Sequence, residues 1–306
     1  MTIEIKLATS LGFCFGVRRA IEMVEEAADE RGRIDSLGSI VHNPVVAQRL
    51  DERGVGIVGG FGEVAAKSVA ITAHGAGPEV YRSARGAGLD LVDTTCPIVA
   101  RAQRAARRLV NSGFKVIIFG DAAHPEVRGV LAWTRGRGVV LASADEPVEI
   151  PRRKVALLSQ TTKSQQMFTD FVAKFLALHI DRINEVRIIN TTCPETEDRY
   201  EAARQLAWEV DMMIVIGGRN SANTGKLAGT CRGAGVETHQ IEREDEIVPE
   251  WLRGKRRVGV TAGASTPDES VAAVVRRLRE IDEATDGRGR TAKQQAERRK
   301  ETPVVR

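Results

Sequence analysis

The chain has 306 residues, 42% of them hydrophobic, which suits one large α/β body or two to three small domains and excludes a disordered protein. Its formal net charge of +4 equals that of its last stretch alone, since seven basic residues stand against three acidic ones from Asp286 onward; the remainder is balanced, and no nucleic-acid partner is expected. No apolar run reaches the roughly 18 residues that cross a bilayer, and "MTIEIKLATS" lacks the basic and apolar regions of a signal peptide, so a cytoplasmic protein without membrane attachment is expected.

The first β-type run, "IEIKLAT", leads to Cys14 and a segment with Ala and Arg at helical spacing. "SLGSIVHN" follows, carrying Gly38 and His42, and then the apolar run "VAITAHGA" from Val69, which contains His74. A second series begins with "LDLVDTT", reaches Cys96, and continues through a helical segment to the strand "VIIFG", His124 and the run "VALLSQTT" from Val155. A third begins with "VRIINTT", reaches Cys193, and continues to "MIVIG", Ser221 and Asn223, and "VGVTAGAS" from Val258, which ends on Ser265.

These series are in register. Gly38, Gly120 and Gly217 each lie twenty-four residues after a cysteine, and His42, His124 and Ser221 each lie twenty-eight after it. The alternation of strand, helix and strand is that of parallel sheets. We therefore expect three similar α/β units with parallel sheets, at residues 1–95, 96–192 and 193–285, arranged pseudo-threefold, with residues 286–306 as a basic flexible tail. Loops at the carboxyl ends of parallel strands open on one side, where ligands bind. On that arrangement Cys14, Cys96 and Cys193 meet near the centre, surrounded by His42, His74, His124, Thr161, Ser221, Asn223 and Ser265.

A reducing compartment argues against disulfides, leaving metal binding, catalysis or burial for the four cysteines. Structural zinc usually takes close Cys-x-x-Cys pairs, of which this chain has none; single cysteines on three separate elements better suit an iron–sulfur cluster. Three thiolates on a cubane cluster leave one iron open to act as a Lewis acid. Cys231, in "KLAGTCRGAG", has no counterpart in the other units and reads as a packing residue in a helix. A lone His, Ser or Asn is as readily a satisfied polar group or turn residue, and only the equal offsets favour a binding role. Lys163, Lys226 and Arg219 add positive charge nearby in sequence.

The ordered motifs "LGFCFGVRRAI", "GSIVHNPVVAQRL", "ITAHGAGPEVY", "VDTTCPIV", "HPEVRGV", "LLSQTTKS", "GGRNSANT" and "GVTAGASTPD" resemble the LytB family of 4-hydroxy-3-methylbut-2-enyl diphosphate reductases, from about Ile5 to Asp268. The resemblance implies an enzyme of the last step of the methylerythritol phosphate route, which removes an allylic hydroxyl with two electrons and two protons to give isopentenyl and dimethylallyl diphosphate. It further implies a [4Fe-4S] cluster on Cys14, Cys96 and Cys193, whose open iron takes the substrate's hydroxyl oxygen. His42, His74, His124, Ser221, Asn223 and Ser265 would bind the diphosphate or line its pocket. Glu126 would be the proton source, Thr161 would sit beside the hydroxyl, and an external electron donor such as ferredoxin or flavodoxin would be needed.

Hydroxide is a poor leaving group, so its loss calls for a Lewis acid and a proton, which such a cluster and a carboxylic acid supply. No G-x-G-x-x-G fingerprint opening a helix points to a nicotinamide cofactor instead. Glu126 alone also fits a first-turn carboxylate stabilised by the helix dipole. Two segments depart from the family pattern. Where the family usually reads Cys-x-Ala-Thr-x-x-Arg-Gln this chain has "CPETEDRY", and Ser221-Ala222-Asn223 replaces a Ser-Ser-Asn. They keep open a LytB-like paralogue reducing another allylic substrate. The basic tail keeps open a cluster-bearing sensor that reads nucleic acid.

Overall fold

The computed structural model of the chain describes residues 2–41, 43–150, 154–219 and 221–300. Strand β1 (Glu4–Leu7) is followed by helix α1 (Phe15–Arg31), β2 (Ile34–Leu37), α2 (Pro44–Glu52), β3 (Val55–Val58), β4 (Ser68–Ile71), α3 (Pro78–Gly86) and β5 (Asp90–Asp93). Next come α4 (Pro97–Asn111), β6 (Lys115–Phe119), α5 (Pro125–Ala132), β7 (Gly138–Leu141), β8 (Lys154–Ser159), α6 (Gln165–His179) and β9 (Glu185–Ile188). The last series is α7 (Pro194–Glu209), β10 (Met212–Ile216), α8 (Ala222–Gly233), β11 (Glu237–Ile241), β12 (Arg257–Ala262) and α9 (Asp268–Lys300).

Among the described residues the strands form three four-stranded sheets, ordered β3-β2-β4-β5, β7-β6-β8-β9 and β11-β10-β12-β1. All pairings are parallel. The expected α/β class with parallel sheets is thus present, and one strand order is repeated three times. The third sheet takes its last strand from the start of the chain, where Glu4 to Leu7 run beside Arg257 to Val260. The division expected at residues 95 and 192 follows the junctions before the cysteines; the sheets themselves draw on residues 34–93, 115–188, and 4–7 with 212–262.

The chain packs as two compact units. One holds residues 14–197 and two sheets; the other holds residues 1–13 and the chain from Asp198 onward, with the third sheet. The central strands explain the continuous apolar runs. In β6, Val116 and Ile118 enter one core with Ala156 and Leu158, while Ile117 and Phe119 enter another with Phe171 and Phe175. A strand buried on both faces has no polar side to alternate with. Likewise Met212, Ile214 and Ile216 of β10 face one core and Met213 and Val215 the other. Helix α9 covers the former through Val271, Val274, Leu278 and Ile281, a helical spacing. Its backbone stays helical to Lys300, so residues 286–300 of the expected flexible tail lie in a helix, in keeping with their Ala, Gln, Glu, Lys and Arg content. Residues 301–306 lie outside the described residues.

The repeated Thr-Thr-Cys-Pro has a structural cause in the turn from the last strand of each of two sheets into the next helix. Asp93 Oδ1 accepts from Thr95 N and Oγ1, and Asn190 Oδ1 accepts from Thr192 N and Oγ1. The preceding threonines, both fully buried, reach the neighbouring strand: Thr94 Oγ1 donates to the Ile71 carbonyl and Thr191 Oγ1 to that of Ser159. The cysteine amides then donate to the loops beyond those strands, Cys96 N to Ala73 O at 3.0 Å and Cys193 N to Thr161 O at 2.8 Å. Each cysteine is therefore fixed by three successive residues.

Whereas in the first turn the Thr94 amide donates to the Ile71 carbonyl at 3.2 Å, in the second Thr191 Oγ1 makes a second bond, accepting from Ser159 N at 2.9 Å. Thr94→Val should cost about 1 kcal/mol of stability, and Thr191→Val about 2 to 3 kcal/mol because it strands a buried N–H. Chemical denaturation of both variants checks this, and equal losses would contradict the second bond.

Candidate functional site

The three cysteines of the 14–197 unit stand at helix starts. Cys14 and Cys96 are the N-cap residues of α1 and α4, and Cys193 directly precedes Pro194, the first residue of α7. Helix N-termini carry partial positive charge, which favours a thiolate over a thiol. Two contacts link these starts in pairs. A Cβ added to Gly16, two residues after Cys14, would lie 2.6 Å from Cys96 Sγ, so only glycine lets α1 approach that sulfur. Glu195, two residues after Cys193, accepts a 3.1 Å hydrogen bond from the amide of Phe15, next to Cys14. Burial pushes the Cys193 thiol upward, amide N–H groups of Glu195 and Thr196 oppose it, and the nearby Cys96 and Glu195 charges add to the rise.

Among the described residues no three His, Cys, Asp or Glu side chains converge closely enough to hold a single metal ion. A multi-iron cluster, in which each cysteine would bind a different iron, does not call for such convergence on one ion. The donor set also fits, being three soft thiols delivered from separate helices.

In the same unit Glu126, in the first turn of α5, is 2% exposed, and Thr161, in the loop after β8, is 4% exposed. The Glu126 carboxylate accepts from Thr161 N at 2.7 Å and from Thr161 Oγ1 at 2.8 Å. Burial raises the carboxyl above the usual Glu value, with both Thr161 hydrogen bonds opposing the rise. His124 caps α5, its Nδ1 accepting from Glu126 N at 3.2 Å, which leaves the ring proton on Nε2. The His74 ring meets it edge-on with centroids 5.6 Å apart, and Thr72 Oγ1 lies 3.3 Å from His74 Nδ1. His42 lies outside the described residues.

Ser221, Asn223 and Ser265 belong to the other unit, in loops and a helix start at the carboxyl ends of β10 and β12. Ser221 is the N-cap of α8 and accepts from Thr224 N. Gly217 and Gly263 both lie so close to Thr224 that a Cβ on either would stand 2.7 Å from its hydroxyl, which packs the two loops together. Tyr200 OH donates to Asn223 Oδ1 at 2.8 Å, and Lys226 Nζ stands 4.9 Å from the Tyr200 ring centroid. Arg219 is paired with Glu246, and Lys163 Nζ lies over the Phe119 ring. Cys231 is fully buried in the core of this unit, where burial pushes its thiol up to about 11.

Gly16, Glu195 and Tyr200 are contributors that the motif reading did not place. Glu195 and Tyr200 were visible only as departures from a pattern, and Gly16 only as one glycine among many.

The family described as LytB protein matches residues 5–279. A 4-hydroxy-3-methylbut-2-enyl diphosphate reductase of Dehalococcoides mccartyi (strain CBDB1) is 43% identical over 274 residues, 89% of this chain and 96% of that protein. One from Geobacter metallireducens is 43% identical over 283 residues, 92% of this chain and 99% of its own. A solved structure of (E)-4-hydroxy-3-methyl-but-2-enyl diphosphate reductase, the terminal enzyme of the non-mevalonate pathway, superposes with a TM-score of 0.72 at 37% identity. It covers 91% of this chain and 99% of that one.

Gly16→Ala tests the approach of the helix starts without any metal. Overpacking of this kind costs about 1 to 3 kcal/mol, so the metal-free variant should melt earlier by a corresponding amount. An unchanged melting temperature would mean that the Cys96 sulfur is not against α1.

Proposed function

The chain belongs to the LytB family, and from that premise we propose that it reduces 4-hydroxy-3-methylbut-2-enyl diphosphate to isopentenyl and dimethylallyl diphosphate. The observation that carries this reading beyond membership is the buried Glu126–Thr161 pair, an acid and a hydroxyl in the same unit as the three linked cysteines. In the reaction the allylic C–O bond breaks and two electrons enter. One proton joins the carbon skeleton and another leaves with the oxygen as water. Cys14, Cys96 and Cys193 would hold a [4Fe-4S] cluster, which would supply electrons, received from an external donor such as ferredoxin or flavodoxin, and a Lewis acid for the hydroxyl oxygen.

The protein's own task is to hold the proton and the substrate. Glu126 is held by the Thr161 amide on one oxygen and meets the Thr161 hydroxyl on the other. When Glu126 is protonated, its O–H donates to Thr161 Oγ1, and the threonine's own hydrogen becomes available to a departing hydroxyl. Burial favours that protonated state. His124, with its proton on Nε2, and His74 are donors for the diphosphate in this unit, as we propose for His42, Ser221, Asn223 and Ser265. Among the described residues no helix is long and apolar enough to cross a membrane.

The direct test is turnover. The full chain, reconstituted anaerobically with iron and sulfide, should consume the substrate with a chemical reductant and release both products. Unreacted substrate beside an intact cluster would overturn the assignment and point to another allylic substrate.

Cys14→Ser, Cys96→Ser and Cys193→Ser should each lose the cluster's visible absorbance, since a hydroxyl replaces a soft thiolate poorly. Cys231→Ser should keep it. Bleaching by Cys231→Ser as severe as by the others would make the cluster four-coordinate by cysteine and remove the open iron.

Glu126→Gln keeps acceptor and shape but carries no acidic proton, so single-turnover rate should fall about 10² to 10⁴-fold with substrate affinity retained. The same variant tests the titration. A raised folded-state value means the folded chain binds this proton more tightly than the unfolded chain. Its contribution to stability is therefore full below the ordinary Glu value of 4.5 and is lost as pH rises through the folded value. Glu126→Gln should flatten that part of the stability profile; a rate within a few-fold of the parent, or an unaltered profile, would remove Glu126 from the role.

A further inference from the structure

Tyr200 lies on α7, 8% exposed, its ring within the core that also holds Leu206 and Leu227. Its hydroxyl donates to Asn223 Oδ1 at 2.8 Å, and its ring face carries Lys226 Nζ at 4.9 Å. Both partners sit near the start of α8, where Ser221 is the N-cap. Backbone N–H groups at such a start are oriented for an anion.

The chemistry of Asn223 makes the hydroxyl decisive. An amide carries an acceptor on one side and two donors on the other, and a half-turn about its last bond exchanges them. Towards a phosphate oxygen one orientation attracts and the other repels. A hydroxyl that donates to Oδ1 selects the orientation in which NH₂ is turned the opposite way. The aromatic face seats the ammonium of Lys226 by cation–π attraction, so that its long side chain loses less freedom when an anion arrives.

We propose that Tyr200 is a positioning residue for diphosphate recognition, fixing the Asn223 amide as a donor through its hydroxyl and seating Lys226 through its ring. This rests on the reading above that Asn223 binds the diphosphate. On this proposal Tyr200 acts through these two side chains. It organises one neutral and one charged donor from a single buried side chain, a role that the spacing of "CPETEDRY" and "NSANTGK" does not disclose.

The experiment is calorimetric binding of inorganic pyrophosphate and of the substrate to the reconstituted full chain, with steady-state kinetics beside it. Tyr200→Phe keeps the ring beneath Lys226 and removes only the hydroxyl. It should weaken both affinities about 3- to 10-fold, raise KM in step, and leave kcat and cluster absorbance unchanged. Asn223→Ala should weaken binding at least as much, and the double variant no more than Asn223→Ala alone, because the hydroxyl acts through the amide. Tyr200→Leu, which also removes the ring, should bind more weakly than Tyr200→Phe.

Parent-like affinity in Tyr200→Phe while Asn223→Ala is impaired would overturn the proposal alone, as would losses that simply add in the double variant. Parent affinity in Asn223→Ala would overturn it together with the placement of Asn223. A parent chain that binds neither ligand would instead sink the diphosphate reading itself.

Discussion

A cluster held as proposed needs three sulfurs delivered to one place from three positions far apart in the chain, and the fold of the 14–197 unit is suited to that demand. Thiolates brought together repel one another unless positive charge lies close by. Helix N-termini supply part of it, and all three cysteines stand at one. The starts must also approach within contact distance, which fixes Gly16 against the Cys96 sulfur and draws the Phe15 amide to Glu195. The same carboxylate that ties the helices together adds negative charge beside Cys193, which an iron cluster would offset. The cysteine amides pinned at Ala73 and Thr161 carry this geometry back into the sheets.

That pinning ties the acid to the sulfurs. Thr161 accepts the Cys193 amide through its carbonyl and donates to Glu126 through both its own amide and its hydroxyl. One residue in the loop after β8 thus positions the proposed metal ligand Cys193 and the proposed proton source Glu126 together. Glu126 is buried and short of countercharge, a costly arrangement for a residue whose task is structural and a useful one for an acid that must keep its proton. A first-turn carboxylate needed only for the helix dipole would do as well in water.

Much of this was legible in the sequence where the constraint is local. The Asp93 and Asn190 turns use adjacent residues, so they recur as Asp-Thr-Thr-Cys-Pro and Asn-Thr-Thr-Cys-Pro. Strands buried on both faces appear as unbroken apolar runs, and repetition at fixed offsets exposes the common strand order. What stayed hidden depends on partners remote in sequence. Four residues of β1 cannot announce that they complete a sheet begun two hundred residues later. Nothing near Tyr200 marks Asn223 as its acceptor, nor does anything near Glu195 mark the Phe15 amide. The helical backbone of residues 286–300 reflects local propensity, which the expectation of a basic flexible tail did not weigh.

The central claim is that three protein thiols hold a cluster one of whose irons is left for substrate. Mössbauer spectroscopy of the chain reconstituted with ⁵⁷Fe, recorded before and after adding 4-hydroxy-3-methylbut-2-enyl diphosphate, addresses it most directly. The account predicts a [4Fe-4S] signal in which one iron differs from the other three and alone changes when substrate is added. Four irons in equivalent sulfur environments, unmoved by substrate, would contradict it.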